Sequence, residues 1–394
     1  MLTSLALVFL VGLILGSIAQ KLKLPALIGM LLTGILLGPY ALNVLDGSIL
    51  DISADLRKLA LVIILTRAGL GLNIKELKKV GRPAILMCFM PALFEIIGVV
   101  ILAPPLIGVS VVEAALIGSV VAAVSPAVVV PRMLKLIEKG YGKEHSIPQL
   151  IMAGSSVDDV FVIVLFASFM DLAKGEGFSF IRLTNIPISI ILGVVVGILL
   201  GLGLIWLFKH LHLRDSMKVL ILLSIAFLLV ALEDWADGKL SGLLAVMCVG
   251  ITLLQGYPVV ANRLSLKFSK LWVGAELILF VLVGATVDMS YALGAGAMAI
   301  LLILGALMFR MLGVYLCLIK TPLTAKERLF CGIAYLPKAT VQAAIGGIPL
   351  ANGLTSGKLV LTVAVLAILI TAPLGALGVD RTYKKLLPHS SDKM

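Results

Sequence analysis

The sequence predicts an all-α polytopic membrane protein, with about 13 transmembrane helices counted from stretches long enough to cross a bilayer. Composition and the recurrence of apolar stretches carry this prediction. Hydrophobic residues make up 61% of the 394 residues and charged residues only 13%, and the mean hydropathy is +1.16. A soluble domain carries about 25% charged residues. We therefore expect residues 1–394 to form a single integral membrane domain.

Each predicted span is an apolar run of roughly 20 residues, the length needed to cross about 30 Å of hydrocarbon. Charged or turn-forming segments separate the runs. The first run is expected to be a retained helix, because no positively charged segment precedes it and no small-residue cleavage site follows it. The approximate limits of the spans are 3–20, 24–41, 55–72, 81–104, 110–138, 146–173, 184–209, 216–233, 238–255, 267–287, 293–319, 325–350 and 357–378.

The connecting segments predict the orientation, because cytoplasmic loops retain Lys and Arg. Most of the 32 Lys and Arg residues fall in alternate loops and in the C-terminal tail, which places the N-terminus outside and the C-terminus inside. This distribution accounts for the net charge of +11. The basic residues are not gathered with aromatic residues in a soluble domain, so no nucleic-acid binding is expected.

Two parts of the chain share a faint internal repeat. The segments TRAGLGLNIKEL and LVGATVDMSYAL both end an apolar span with a small-residue turn, followed by Asn73 or Asp288. The same interval separates Glu95 from Arg310, and nearly the same interval separates one proline of the fifth span from one of the twelfth. Because the repeated units begin an odd number of spans apart, they insert with opposite topology. Inverted repeats of this kind are typical of secondary transporters.

The two prolines predict interrupted helices. Pro126 lies inside the fifth span and Pro337 inside the twelfth, and proline removes a backbone donor and clashes with the preceding turn. Ser125 precedes a proline and is pushed towards an extended conformation, so an unwound stretch is expected near 124–127. Irregular backbone at membrane depth is tolerated only where it lines a cavity or is buried in protein. Two discontinuous helices at equivalent positions therefore indicate a substrate site.

Several ionisable residues lie well inside the apolar spans. They are Glu95, Asp158, Asp159, Arg310 and Lys338. An ionised side chain near the bilayer centre costs at least about 2.5 kcal/mol on insertion scales, so each of these is expected to have a partner or a function. In an inverted-repeat fold we expect them to meet at one site. When all are ionised, the carboxylates exceed the cations by one charge.

The adjacent aspartates are expected to have different tasks. Consecutive helical residues point about 100° apart, so Asp158 and Asp159 cannot face the same partner. One is expected to face a fixed cation, and the other to face water or a transported ion. For Asp158 alone, a structural ion pair with a neighbouring helix is an equally open reading. Ser155 lies one turn before Asp159 on the same helical face, so its hydroxyl is a candidate oxygen ligand.

The motifs AAVSPAVVVPRML, GSSVDDVFVIVLF, FRMLG and YLPKATVQAA follow one another in this order. Together they resemble the cation/proton antiporter superfamily in its two-aspartate, electrogenic branch, and most closely the NHA-type sodium/proton antiporters. The resemblance covers essentially the full chain. It implies the NhaA-like antiporter fold with two crossing discontinuous helices. It also implies a homodimer, in which dimerisation helices at about 1–41 and 184–255 support a transport bundle at about 55–173 and 267–378 that moves as an elevator.

The motif match also implies roles for individual residues. Asp159 would be the carboxylate that binds Na⁺ and H⁺, and Asp158, a further Na⁺ ligand, would pair with Lys338. Glu95 and Arg310 would form a second pair.

Further ligands are implied in the unwound backbone around Val124 and Ser125, beside the candidate hydroxyl of Ser155. The transported ions are Na⁺ or Li⁺ and H⁺, and no cofactor is expected. The partners are these ions, the lipid bilayer and a second copy of the chain.

The expected function is exchange of Na⁺ or Li⁺ for H⁺ by elevator-type alternating access, in which ion and proton compete for Asp159. The expected physiological role is pH homeostasis. A K⁺/H⁺ antiporter or K⁺ efflux system of the same fold is the alternative. An intramembrane aspartyl protease is a remote alternative, because its two carboxyl groups must face one another; no enzyme activity is expected. The expected location is the inner (plasma) membrane of a bacterium or an archaeon.

Overall fold

The chain is helical throughout the part that the structure, a computed structural model, describes: residues 1–72, 81–174, 180–211, 213–235 and 240–389. An isolated β-bridge joins Tyr141 to His389. The helices, numbered in chain order, are α1 (Leu2–Lys21), α2 (Ala26–Leu37), α3 (Gly47–Asp51), α4 (Ser53–Gly71), α5 (Arg82–Met87), α6 (Met90–Ile107), α7 (Val111–Val121), α8 (Pro126–Glu138), α9 (Ile147–Ala173), α10 (Phe180–His210), α11 (Asp215–Trp235), α12 (Gly242–Gly256), α13 (Pro258–Ala285), α14 (Met289–Cys317), α15 (Ala325–Ala334), α16 (Thr340–Ile345), α17 (Ile348–Ala351) and α18 (Gly357–Leu386).

Eight helical segments in the described ranges are long and apolar enough to cross a membrane. They are Leu2–Lys21, Arg82–Ile107, Val111–Glu138, Ile191–His210, Asp215–Glu233, Pro258–Ala285, Gly296–Cys317 and Gly357–Leu386. Shorter apolar helices lie between them, among them α2, α12 and the α16–α17 pair. The chain is therefore an all-helical, multi-pass membrane protein, as the composition predicted, while the count of 13 spans and the orientation stay predictions.

Several helix limits differ from the predicted spans for local reasons. Helix α2 ends at Leu37, before Gly38, which is extended as expected of a residue that precedes proline. The fourth span is divided, because Pro91 begins a new helix after Phe89, and proline is suited to a first turn. Helices α13 and α18 extend beyond their apolar stretches into charged sequence, since backbone hydrogen bonding continues where the apolar pattern stops.

The helices form two compact units. The first unit contains Met1–Ala54, Lys75–Lys174 and Leu279–Met394, and the second contains Asp55–Ile74 and Gly175–Ile278. In the first unit α6 packs along α14, with Gly98 against the ring of Phe309. In the second unit α12 packs against α10 and α11. The first unit contains Glu95, Asp158, Asp159, Arg310 and Lys338. Asn73 of the repeat lies outside the described residues.

Both proline-containing spans are interrupted in the first unit. Residues 122–125 separate α7 from α8, and residues 335–339 separate α15 from α16. Ser125 is extended, with φ −89° and ψ 109°. The first interruption ends at residue 125 and not at 127, because Pro126 is the first residue of α8. At this position a missing backbone N–H costs nothing and a φ near −65° suits the helix.

Close packing of α2 on the end of α13 gives a first prediction. A β-carbon on Gly34 would overlap the backbone of Val281, whereas no described atom lies within 4 Å of a β-carbon built on Gly274. Gly→Ala in a helix interior otherwise stabilises by about 0.5–1 kcal/mol. We expect Gly34→Ala to destabilise the protein by about 1–3 kcal/mol through overpacking, and Gly274→Ala to keep or raise the melting temperature in detergent. Equal melting temperatures for the two variants would contradict the tight approach.

Candidate functional site

The two helix interruptions contact one another. The backbone N–H of Ser125 in the first donates to the carbonyl oxygen of Pro337 in the second at 2.8 Å. The side-chain amide of Gln342, in the turn that follows the second interruption, donates to the carbonyl oxygens of Ala123 at 2.8 Å and Val121 at 3.3 Å. The carbonyl groups that have no helical hydrogen bond where α7 ends thus accept hydrogen bonds from the other interrupted helix. Buried backbone groups require such partners.

A backbone N–H of each interruption is also bound to a side chain on the long helix that follows it in the chain. The N–H of Val124 donates to Oδ2 of Asp158 on α9 at 2.8 Å. The N–H of Lys338 donates to the hydroxyl oxygen of Thr371 on α18 at 3.0 Å. Val124 lies in the first interruption and Lys338 in the second, and Asp158 and Thr371 lie on the long helices that follow them. The two halves therefore hold their interruptions in the same way, with a carboxylate in one and a hydroxyl in the other.

The helices that lead into the interruptions begin alike as well. Ser110 and Glu113 form a capping box at the start of α7, and Thr324 and Glu327 form one at the start of α15. In each box the hydroxyl and the carboxylate satisfy N–H groups that the first helical turn leaves free. This recurrence at equivalent positions supports the internal repeat that the sequence suggested.

Arg310 of α14 is the centre of the charged cluster. Its Nη1 donates to Oε2 of Glu95 at 2.7 Å and also to the carbonyl oxygen of Ala122, and its Nη2 lies 3.1 Å from Oδ2 of Asp158. Its Nε donates to the carbonyl oxygen of Tyr335 at 2.7 Å. The guanidinium is fully buried. It thus connects α6, α9 and both interruptions, and the expected pair with Glu95 is present.

Lys338 has a different partner from the one expected. Its Nζ lies 2.7 Å from Oε2 of Glu95, and not against Asp158. The expected pair of Asp158 and Lys338 is therefore wrong in this structure. The reason is geometric: Arg310, with its forked guanidinium, reaches Glu95 and Asp158 together, and this leaves the other approach to Glu95 for the lysine. Glu95 thus forms ion pairs with both Arg310 and Lys338, and Asp158 forms one with Arg310.

The two aspartates lie in different surroundings. Oδ2 of Asp158 accepts bonds from Arg310 and from the backbone of Val124, and the residue is 0% exposed. Asp159 is 8% exposed, and its Oδ1 has no hydrogen-bond partner among the described residues. Asp158 faces a fixed cation, as expected of one of the two neighbours. Its Oδ1 also has no described hydrogen-bond partner, so the role of Asp159 as the ligand of the transported ion stays a prediction.

Buried oxygens without a hydrogen-bond partner among the described residues concentrate around the interruptions. Besides Gln149 Oε1, which lies on α9, they are Ser125 Oγ, Asp158 Oδ1, Asp159 Oδ1, Thr340 Oγ1 and Gln342 Oε1. Buried polar atoms are normally paired, and carboxylate, carbonyl and hydroxyl oxygens are the ligands that hard cations prefer. Ser155, also buried, donates its hydroxyl to the carbonyl oxygen of Met152 at 3.2 Å and keeps its acceptor capacity. The arrangement can hold a small cation.

Sequence reasoning missed Thr340, Gln342 and Thr371. Thr340 and Gln342 belong to YLPKATVQAA, so the motif contained them, and polar residues directly after an intramembrane proline were the available signal. Thr371 lies within an apolar span, away from any proline-containing motif, and gave no such signal. Its position shows only when α18 is packed against the second interruption.

These features define a class of protein before any relative is considered. Apolar helices surround two interrupted helices whose breaks meet at a buried cluster of charges, as in secondary transporters.

Comparisons with known proteins identify the family. Residues 5–385 match the family described as sodium/hydrogen exchanger, transmembrane. Sodium/hydrogen exchanger 9B2 of Mus musculus is 32% identical over 387 residues, which cover 94% of this chain and 70% of the relative. Human sodium/hydrogen exchanger 9B1 is 31% identical over 412 residues, 98% of this chain and 78% of the relative. The chain therefore belongs to the sodium/hydrogen exchanger family.

A solved structure supports the fold. The sodium proton antiporter MjNhaP1 from Methanocaldococcus jannaschii at pH 8 superposes with a TM-score of 0.86 at 22% sequence identity, covering 98% of each chain. Membership of a transporter family leaves the aspartyl-protease alternative without support, and the arrangement of Asp158 against Arg310 does not suit two carboxyls sharing a proton. The 9B relatives are animal proteins, so they give no support to the expected bacterial or archaeal membrane.

The charged cluster gives a second prediction. Removing one member of a buried ion pair leaves a charge stranded, at a cost of about 3–5 kcal/mol. Because Arg310 contacts both Glu95 and Asp158, we expect Arg310→Ala to lower the melting temperature in detergent more than Glu95→Gln does. Arg310→Lys should not restore stability, since a lysine cannot reproduce the forked contacts.

The half-exposed pair of Arg132 with Asp380, at 3.3 Å, is the matched control. An exposed ion pair contributes about 0–1 kcal/mol, so Arg132→Ala should melt close to the unmodified protein. If Arg310→Ala and Arg132→Ala melt alike, the cluster does not stabilise the fold.

Proposed function

We propose that this protein exchanges Na⁺ or Li⁺ for H⁺ across a membrane, and that ion and proton compete for the carboxyl group of Asp159. The observation that carries the proposal is the contrast between the aspartates. Oδ2 of Asp158 is bound to Arg310 and to the backbone of Val124, whereas Asp159 is slightly exposed; Oδ1 of each aspartate has no described partner. Family membership supports the choice of ions.

Competition follows from the electrostatics of a buried carboxyl group. Low dielectric disfavours a lone carboxylate, so a proton or a cation must neutralise it. A proton makes the group neutral, and a sodium ion replaces the proton while keeping the local charge balanced. One site that takes either ion, and never both, couples the release of one proton from Asp159 to the binding of one sodium ion.

The charge balance of the cluster explains how leak is avoided. Glu95, Asp158 and Asp159 carry one more negative charge, when ionised, than Arg310 and Lys338 carry positive charge. The uncompensated negative charge leaves a vacancy for one cation, and Na⁺ or H⁺ fills this vacancy. Moving an uncompensated charge through hydrocarbon is expensive, so the bundle crosses readily only when the vacancy is filled. We propose that this movement is an elevator-type displacement of the transport bundle.

The finer features carry over as parts of the same proposal. They are membership of the two-aspartate branch, about 13 spans by the length criterion with the N-terminus outside, and a homodimer in which segments near 1–41 and 184–255 form the fixed part. Val124, Ser125 and Ser155 would complete the ligands of the transported ion. The host membrane and a role in pH homeostasis are expectations of the resemblance alone.

Ion-driven proton flux in proteoliposomes tests the proposal directly. The reconstituted protein should produce pH changes inside the vesicles when Na⁺ or Li⁺ is added outside, and smaller ones with K⁺. A response to K⁺ equal to or larger than the response to Na⁺ would instead favour the K⁺/H⁺ antiporter. No response to any alkali cation would overturn the proposal.

Asp159→Asn is expected to abolish both sodium-driven proton flux and sodium binding. Asparagine keeps the shape of the side chain but can neither release a proton nor offer a charged ligand. Asp380→Asn, which removes a partly exposed carboxylate from the pair with Arg132, is the control and should exchange normally. Flux near the unmodified rate in Asp159→Asn would rule out this assignment.

Lys338 is expected to contribute to the charge moved per sodium ion. Lys338 and Arg310 share Glu95, and Arg310 also holds Asp158. If a sodium ion engages Asp158, Arg310 transfers its interaction to Glu95, and Lys338 can then release its proton. Lys338→Gln should therefore move less charge per sodium on a solid-supported membrane or stop exchange, while the exposed Lys135→Gln behaves normally. An unchanged charge per sodium in Lys338→Gln would show that the lysine takes no part in coupling.

A further inference from the structure

Gln342 is a buried amide between the two interrupted helices. It lies on α16, in the turn after the second interruption, and is 1% exposed. Its Nε2 donates to the carbonyl oxygens of Ala123 and Val121, which belong to the first interruption and to the end of α7. Its Oε1 has no hydrogen-bond partner among the described residues. A fully buried amide oxygen left unpaired is costly and requires an explanation.

The hydrogen bonds determine which way the amide points. The two N–H groups of a glutamine amide can each satisfy one acceptor, and here two carbonyl oxygens face them. Turning the amide over would place its oxygen against those same carbonyl oxygens, with repulsion in place of two bonds. Oε1 therefore faces away from Val121 and Ala123. Like Ser125 Oγ and Thr340 Oγ1, it is an unpaired oxygen of a residue in or next to an interruption.

We propose that Gln342 is the positioning residue of the ion site. Its N–H groups hold the carbonyl groups of the first interruption at a set distance from the second, and its Oε1 is the oxygen that the second interruption offers to the transported alkali cation. This inference rests on the proposed function and adds a specificity determinant to it. Selection among alkali cations depends on the spacing and number of coordinating oxygens, and Gln342 influences both.

A merely structural tie between helices predicts a different set of effects. Such a tie would change stability and maximal rate, and would leave the preference between Na⁺ and Li⁺ unchanged. A residue that spaces the ligands changes the KM for the cation and the ratio of the KM values for Na⁺ and Li⁺. The KM values and their ratio therefore separate the two roles, because uniform loss of ion binding raises KM without lowering kcat.

Gln342→Met is the principal variant, since methionine is similar in length and has no N–H to donate. Gln149 on α9 is the matched control, because its Oε1 is also buried without a described partner and it lies more than two helical turns before Asp158. We expect Gln342→Met to raise the KM for Na⁺ about tenfold, because one oxygen ligand is lost, at about 1–1.5 kcal/mol, and to change the Na⁺/Li⁺ ratio because the carbonyl groups of the first interruption are no longer held. Gln149→Met should keep both values. Flux is measured in proteoliposomes that contain equal amounts of each protein. Only variants whose melting temperature is close to that of the unmodified protein are compared.

A second variant keeps the test decisive if Gln342→Met fails to fold. Gln342→Asn retains the amide but withdraws it by one methylene, and should raise the KM for Na⁺ in the same direction. Unchanged KM values and an unchanged Na⁺/Li⁺ ratio in a folded variant, beside active unmodified protein, would overturn the inference and leave the proposed function standing. Absence of cation-driven flux in the unmodified protein would instead overturn the proposed function itself.

Discussion

The structure of the first unit depends on one buried guanidinium. Arg310 donates to two carboxylates and to a carbonyl oxygen from each interrupted helix. An arginine can do this because its donors are arranged in a rigid planar fork and its charge is permanent. Four segments that are distant in sequence therefore share a single partner. The same group neutralises Asp158 and satisfies backbone that the prolines released from helical bonding.

This arrangement connects stability with ion chemistry. The interruptions expose carbonyl and N–H groups that hydrocarbon cannot satisfy, and the protein satisfies them from side chains: Arg310, Asp158, Thr371 and Gln342. The buried side-chain oxygens that remain without a described partner include those of Ser125, Thr340 and Gln342, in or next to the interruptions. A buried network with most members satisfied and a few oxygens left over is a suitable place for a desolvated cation.

The repeat explains why the site has two sides with different chemistry. Val124 and Lys338 are held at equivalent positions by Asp158 and Thr371, so the scaffold is nearly symmetric. The charges are not: one half contributes the carboxylates, and the other contributes the cations and the amide. The repeat supplies paired interruptions, and differences at single residues supply the unequal charge of the two sides. The likeness of the fold to an archaeal antiporter at 22% identity agrees with a scaffold that tolerates much sequence change.

The sequence by itself determined the membrane class, the existence of both interruptions and the identity of the buried charges. These follow from local properties: apolar length, the missing N–H of proline, and the cost of a charge in hydrocarbon. Only the tertiary structure decided the partners. Lys338 binds Glu95 and not Asp158, because the fork of Arg310 already spans both carboxylates. Gln342 and Thr371 likewise gained their importance from helices far away in the chain. Which donor reaches which acceptor depends on differences of a few tenths of an ångström in the distances between atoms on separate helices. No local sequence pattern encodes those distances.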